Sequence, residues 1–287
     1  MSAQSSRSAL KSAAVVSGCA LLLAGCGTAS RTVSGVDPEV AAASQVDVAS
    51  LSGAVARNPQ DPEAYNTRGS ALARAGKYKE AIADFSAAIR LNPGFAKAYF
   101  NRALAYGSLK QTQQALADYQ RAIDANPNYV GAYVGRGNLY RQAGQYQQAL
   151  DEYQRAIDID RQSAEAYHNR GLVQQAQNQH MFAVEDFTKA IAIDASAPPP
   201  HIARAVSYLA MNDPKAALED LNTALASSPK NGEAWMVRGQ AYEQMNDQER
   251  ARAAYARAVQ SMPSNERARA AFTRVGGKTG VTYNLTN

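Results

Sequence analysis

The chain of 287 residues is poor in the groups that carry covalent and metal chemistry. It has two cysteines, Cys19 and Cys26, both near the N-terminus, so the rest can form neither a disulfide nor a thiolate metal site. Of its three histidines, His168, His180 and His201, no two have the His-Glu-x-x-His spacing, or a similar one, that sets imidazoles on a metal. No serine sits in a nucleophile elbow. Gly277-Lys278-Thr279 does not complete a phosphate-binding loop, because Phe272 stands where that loop needs its first glycine and no strand precedes it. The net charge is +5, yet no basic run interleaves with aromatic residues in the manner of a nucleic-acid surface. Catalysis, a cofactor, a metal and a nucleic-acid partner are therefore not expected.

Long apolar runs are also missing, with one exception. Ala13 to Leu23 is apolar over about the length of a signal h-region and too short to cross a bilayer as a mature helix. Arg7 and Lys11 precede it with no acid among them. The run ends in Leu23-Ala24-Gly25-Cys26, which resembles a bacterial lipobox. The resemblance implies that residues 1–25 are a cleaved signal peptide. Cys26 would then carry a thioether-linked diacylglycerol and an acylated amino group, palmitate among the acyl chains. Two or three chains anchor stably where one does not. Cleavage would leave 28 basic against 25 acidic residues, a charge of about +3. Val16-Ser17-Gly18-Cys19 is a rival with a shorter apolar run before it, and an ordinary signal peptide is the plainer alternative. Gly27, not aspartate, follows the cysteine, which in Gram-negative lipoproteins implies the outer membrane, here facing the periplasm. Residues 26–44, small and polar, are expected to be a flexible tether of roughly 20–25 Å.

What the chain has in quantity is one phrase. Ala64-Tyr65, Arg68-Gly69, Gly76-Lys77, Ala81, Asp84-Phe85, Ala88 and Asn92-Pro93 recur at intervals of 34 residues, six times over residues 62–263 without insertion or deletion. Such a period means stacked units that each touch only their neighbours. Each copy reads as two helices. A glycine or polar turn separates them: Gly76-Lys77, Lys110-Gln111, Gly144-Gln145, Asn178-Gln179, Asn212-Asp213 and Asn246-Asp247. Asparagine or glycine after a helix, and proline beyond the second, are stop signals. On the second helix Ala81, Phe85 and Ala88 share one face by their spacing, and alanine holds both outer positions in every copy. Residues 45–61 align as a worn half-copy, 264–277 as a capping helix, and 278–287 as a tail.

These aromatic, small and proline positions resemble the tetratricopeptide repeat family. The resemblance implies an all-α fold, a solenoid of six helix pairs wound into a right-handed superhelix. Its concave face, lined by first helices, would hold a peptide or a partner helix. Arg161 and Ala195 replace the expected proline, and Pro198-Pro199-Pro200 opens the fifth copy, where a tilt is expected. Arginine stands where the family usually has an apolar residue: Arg68, Arg102, Arg136, Arg170, Arg204 and Arg238. An acid follows in every copy but the last: Asp84, Asp118, Glu152, Asp186 and Asp220. The acids end one unit early, so each is expected to pair with the arginine of the next copy, Asp84 with Arg102 for example. Pairing within a copy, Asp84 with Arg68, is the rival.

Carried over onto this sequence, the family's groove positions include Phe100, Leu104, Val134, Asn138, Arg141, His168, Leu172, Gln175, Ile202, Val206, Leu209 and Met236. They suggest an apolar trough with Arg141 as its clearest charge, and an exposed apolar strip usually marks a binding site. The other occupants to weigh are the tail Val281-Thr282-Tyr283-Asn284-Leu285 and a second copy of the chain, as a homodimer. The lysine and asparagine set with which some relatives clamp a terminal carboxylate is absent. The expected function is that of a non-catalytic, lipid-anchored adaptor for periplasmic or envelope proteins, in cell-wall or proteolysis machinery. The alternative is a pilotin-type assembly factor for pilus or secretion machinery.

Overall fold

The computed structural model describes residues 38–278 with Val281 and Tyr283, and side chains from residue 48 onward. Among these residues the chain forms fourteen α-helices and no strand. A leading helix, α1 (Pro38–Arg57), precedes six antiparallel pairs. They are α2 (Pro62–Arg74) with α3 (Tyr78–Leu91), α4 (Ala96–Ser108) with α5 (Thr112–Ala125), and α6 (Val130–Gln142) with α7 (Tyr146–Ile159). Then come α8 (Ala164–Ala176) with α9 (His180–Ile193), α10 (Pro198–Ala210) with α11 (Pro214–Ser227), and α12 (Gly232–Gln244) with α13 (Gln248–Ser261). A short α14 (Glu266–Arg274) closes the array. Each pair packs on the next, as a solenoid requires. None of the described helices is long and apolar enough to cross a membrane.

The turn inside each pair works by one device. The second residue after the first helix adopts a positive φ, at Gly76, Lys110, Gly144, Asn178, Asn212 and Asn246. The left-handed residue lets the following N–H reach back into the last helical turn, as Lys77 N–H donates to the Leu72 carbonyl at 2.9 Å. Glycine and asparagine adopt that conformation readily, and Lys110 at φ 58° does so against its side chain.

Alanine sets the distance between helices. Ala81, Ala115, Ala149, Ala183, Ala217 and Ala251 are completely buried, and so are Ala88, Ala122, Ala156, Ala190, Ala224 and Ala258. Between each such pair lies a large side chain, such as Phe85, Tyr153 or Leu221, filling the gap between ridges. The first helix answers with glycine. A Cβ added at Gly69 would fall 2.7 Å from the Phe85 ring, and one at Gly137 would fall 2.7 Å from Tyr153.

At the ends, α1 differs from expectation. Residues 38–44, read as tether, are helical. The physical reason is local: Ala41-Ala42-Ala43 is the strongest helix-forming run available, and Pro38 occupies a first turn where its missing N–H costs nothing. At the other end Phe272 is buried against the last pair, and Asn265 caps α14 by accepting from Ala268 N–H at 3.0 Å. Of the tail, Tyr283 meets Phe272 edge-on at 5.5 Å and Val281 is exposed.

Candidate functional site on the first-helix face

Two surfaces carry the polar residues singled out by the repeat. One is the seam between the two helices of each copy. The expected forward pairing of acids with the next copy's arginine is wrong. Arg68 Nε and Nη2 donate to Asp84 at 2.7 and 2.6 Å, within one copy. Arg102 does the same to Asp118, Arg170 to Asp186 and Arg204 to Asp220, all at 2.6–2.8 Å. Positions such as 68 and 84, 16 residues apart, lie opposite each other across the hairpin. The arginine does reach backward, with its other nitrogen, but to a neutral group. Arg102 Nη1 donates to Ser86 at 2.9 Å and Arg204 Nη1 to Thr188 at 2.7 Å, while Arg136 and Arg170 use Gln120 and Gln154. Each guanidinium also lies on an aromatic ring of its own helix, such as Arg102 over Tyr99 at 5.7 Å. These contacts lift the Arg68, Arg170 and Arg204 guanidiniums above their ordinary pKa, the hydrogen bond to the acid being the leading cause.

Two members deviate. Glu152 is one methylene longer than aspartate, and both its oxygens land on Arg136 Nη2, at 2.8 and 2.9 Å. Arg136 Nε is left buried without a partner, and burial holds the Glu152 carboxyl above its ordinary range despite the arginine. Arg238 faces Ala254 and has no acid. It was expected to pair with Asp220, which instead binds Arg204 and also His201, at 2.9 Å. Arg238 donates to Tyr242 Oη at 3.2 Å and is flanked by the Trp235 and Tyr242 rings.

The other surface is the first-helix face, where the groove positions fall. Here the apolar trough shrinks. Val134, Ile202 and Leu209 are buried, at 3, 6 and 7% exposure, because neighbouring first helices touch directly. The polar residues tie the same helices: Gln175 donates to the Ala203 carbonyl at 2.8 Å and to Ser207 Oγ at 2.7 Å, and Gln244 to the Leu209 carbonyl at 3.1 Å. Phe100, Asn138, Arg141, His168, Leu172, Val206 and Met236 remain half-buried. Leu104 is exposed, at 47%.

Between α4 and α6 the face opens into a hollow of about 370 Å³. Phe100, Leu104 and Gly107 line it from α4, Gly131, Gly135, Asn138 and Gln142 from α6, Tyr119 from behind, and Glu165 from the first turn of α8. Its cause is an exchange of small residues. In the first, third, fourth and sixth copies the central ring rests against a glycine of its own first helix. In the second copy that site is Ala103, and the Tyr119 ring lies against Gly135 of the next copy instead, where a Cβ would come within 2.5 Å of it. A Cβ at Gly131 would sit 3.3 Å from Phe100, whose ring is 5.9 Å from Tyr119 and 5.1 Å from Tyr129. The other copies carry Glu63, Lys97, Glu165, Pro199 or Glu233 at the Gly131 position. Tyr119, Gly131, Gly135 and Glu165 were missed by the sequence reading. Two glycines at positions where no other copy has one were the available signal.

Beside the hollow, Asn138 accepts from Tyr153 Oη at 2.7 Å. Burial, more than the nearby charges, pushes the Tyr153 phenol up to about 12. His168 meets the Phe187 ring at 5.6 Å, and burial with help from Arg141 lowers its pKa to about 4, so the ring is neutral at pH 7. Arg141 Nε and His168 Nδ1 are both buried without partners. At the far end Glu243 is held by Arg274 at 2.7 Å and by Tyr255. Cys26, the expected lipid site, lies outside the described residues.

Tetratricopeptide repeat models match residues 42–96, 66–130 and 202–269, another matches 118–151, and a TPR repeat model matches 137–178. No curated protein matches by sequence. Among solved structures, the Cut9-Hcn1 hetero-tetramer of APC/C is similar with a TM-score of 0.71 and 17% identity, over 82% of this chain but 46% of that one. Pseudomonas aeruginosa pilF is similar with a TM-score of 0.66 and 15% identity, over 74% of this chain and 97% of that one. PilW, a type IV pilus biogenesis factor, is similar with a TM-score of 0.66 and 16% identity, over 73% and 97%.

Proposed function

Because the chain belongs to the tetratricopeptide repeat family, we propose that it is a non-catalytic docking protein. Its first-helix face would hold a segment of an envelope protein, and a lipid on Cys26 would tie it to the outer membrane on the periplasmic side. One observation carries the docking reading. The seam keeps the same pairing through five copies, whereas the first-helix face varies from copy to copy and opens into a hollow between α4 and α6. Packing alone demands no such hollow, and unfilled concavities with apolar walls are where ligands bind. The tether rests on the Leu23-Ala24-Gly25-Cys26 sequence.

The test is a photo-crosslinker at Leu104 in cells, followed by mass spectrometry. Recovery of an envelope protein supports the reading. Recovery of only the chain's own tail, or of a second copy, overturns it. Labelled palmitate should enter the wild-type chain and not Cys26→Ser, and equal labelling would remove the anchor. A second reading, assembly of pili or secretion machinery, draws on the likeness to pilF and PilW. At 15–16% identity that likeness speaks for the fold alone, so the reading needs its own test, pilus or secretin assembly after deletion of the gene.

A further inference from the structure

The hollow between α4 and α6 has a chemical signature more specific than an apolar dent. Its walls are the Phe100 and Tyr119 rings, with Tyr129 backing Phe100 edge-on at 5.1 Å. Among its lining residues one carries charge, and that charge is negative: Glu165. Glu165 is exposed and forms no ion pair among the described residues. Gly131 lines the same hollow, and a Cβ there would crowd the Phe100 ring at 3.3 Å. The field of Glu165 is felt at the site, since after burial it is the next cause lifting the Tyr119 phenol above its ordinary range.

Aromatic faces and one unpaired carboxylate around a concavity attract an organic cation. The ring quadrupole is negative over its face, and the carboxylate adds a full charge. Asn138, Gln142 and Ser108 at the rim supply hydrogen-bond acceptors for N–H groups. An anionic or purely apolar occupant would leave Glu165 either opposed or idle. We propose that this hollow takes a basic side chain, arginine or lysine, presented by the docked partner segment. This rests on the docking reading and deepens it, since it fixes one residue type of the partner at one place on the face.

The structure offers a place for a plug. Gly107 lines the hollow, and a Cβ there meets nothing within 4 Å, so Gly107→Leu is expected to occupy the space. Glu165→Gln removes the charge from an exposed position. The experiment is titration of the 15N-labelled full chain with N-acetyl-arginine amide and with its neutral isostere N-acetyl-citrulline amide. The Gly131 and Gly135 amides should shift saturably with the arginine probe and on the order of tenfold more weakly with citrulline. Glu165→Gln should erase that preference, and Gly107→Leu should abolish the shifts while the other amides stay in place. Equal response to both probes, no saturable shift at either glycine, or full binding by Gly107→Leu overturns the assignment. A partner crosslinked at Leu104 whose binding ignores Glu165→Gln would sink the cation site and spare the docking reading. Arginine binding with no partner recovered would do the reverse.

Discussion

The seam inside the copies and the face outside them are built from the same repeat, yet they obey different rules. On the seam, Arg68, Arg102, Arg170 and Arg204 meet aspartates through the same two nitrogens, with distances agreeing within about 0.2 Å. On the face, equivalent positions hold Phe100, Val134, His168, Ile202 and Met236, and their exposure ranges from buried to half open. The seam is dictated by the hairpin itself: two helices held at alanine distance leave room for one guanidinium and one short carboxylate. The face touches only the next first helix, so packing constrains it less. A solenoid can therefore keep its fold fixed on one surface and vary another.

The largest expected effect breaks the seam. Removing one partner of a largely buried, doubly bonded pair leaves a charge without compensation, so Arg102→Ala should cost about 3–4 kcal/mol in urea unfolding. The double-mutant cycle sharpens the assignment. Arg102→Ala and Asp118→Ala should couple strongly, while Arg102→Ala and Asp84→Ala should add within about 0.5 kcal/mol. Strong coupling in the second cycle would restore the forward pairing that the hairpin excludes.

Next comes a contrast between two glycines. Gly137→Ala drives a Cβ to 2.7 Å from the Tyr153 ring, so it should destabilise by about 2–3 kcal/mol. Gly107→Ala, with open space beside it, should instead stabilise by up to about 1 kcal/mol through helix propensity. The same sign for both in thermal unfolding would contradict the division between closed seam and open face.

A smaller effect concerns pH. His168 has a folded pKa of about 4, below its unfolded value, so the unfolded chain binds the extra proton first. The stability it contributes is complete above about pH 6.5 and is lost as pH falls toward 4, by about 1–2 kcal/mol once the roughly 3 kcal/mol of the full shift is discounted for the ring's partial exposure. His168→Gln should flatten that part of the pH–stability curve. An unchanged slope would mean that His168 is more open to water than its packing on Phe187 indicates.

The helix pairs and their turns could be read from residue types, since Gly76, Gly144 and the asparagines mark left-handed positions that few side chains adopt. The ladder's members were legible as well, but not its direction. A list of acids ending one unit before the arginines allows either register. Only the hairpin, setting positions 16 residues apart opposite each other, excludes one. The trough was overdrawn because Val134, Ile202 and Leu209 look the same in sequence whether they face solvent or a neighbouring helix.

By itself the sequence determined the period, the break of each helix pair and the alanine contacts, because these follow from local backbone preference and side-chain volume repeated in register. Tertiary structure alone decided which charge meets which and where the face opens. The first depends on two helices of one copy folding back on each other, and the second on atoms from separate copies arriving at one place, as when Tyr119 comes to lie against Gly135. Spacing along the chain can record that such residues exist, but their meeting is a property of the stack.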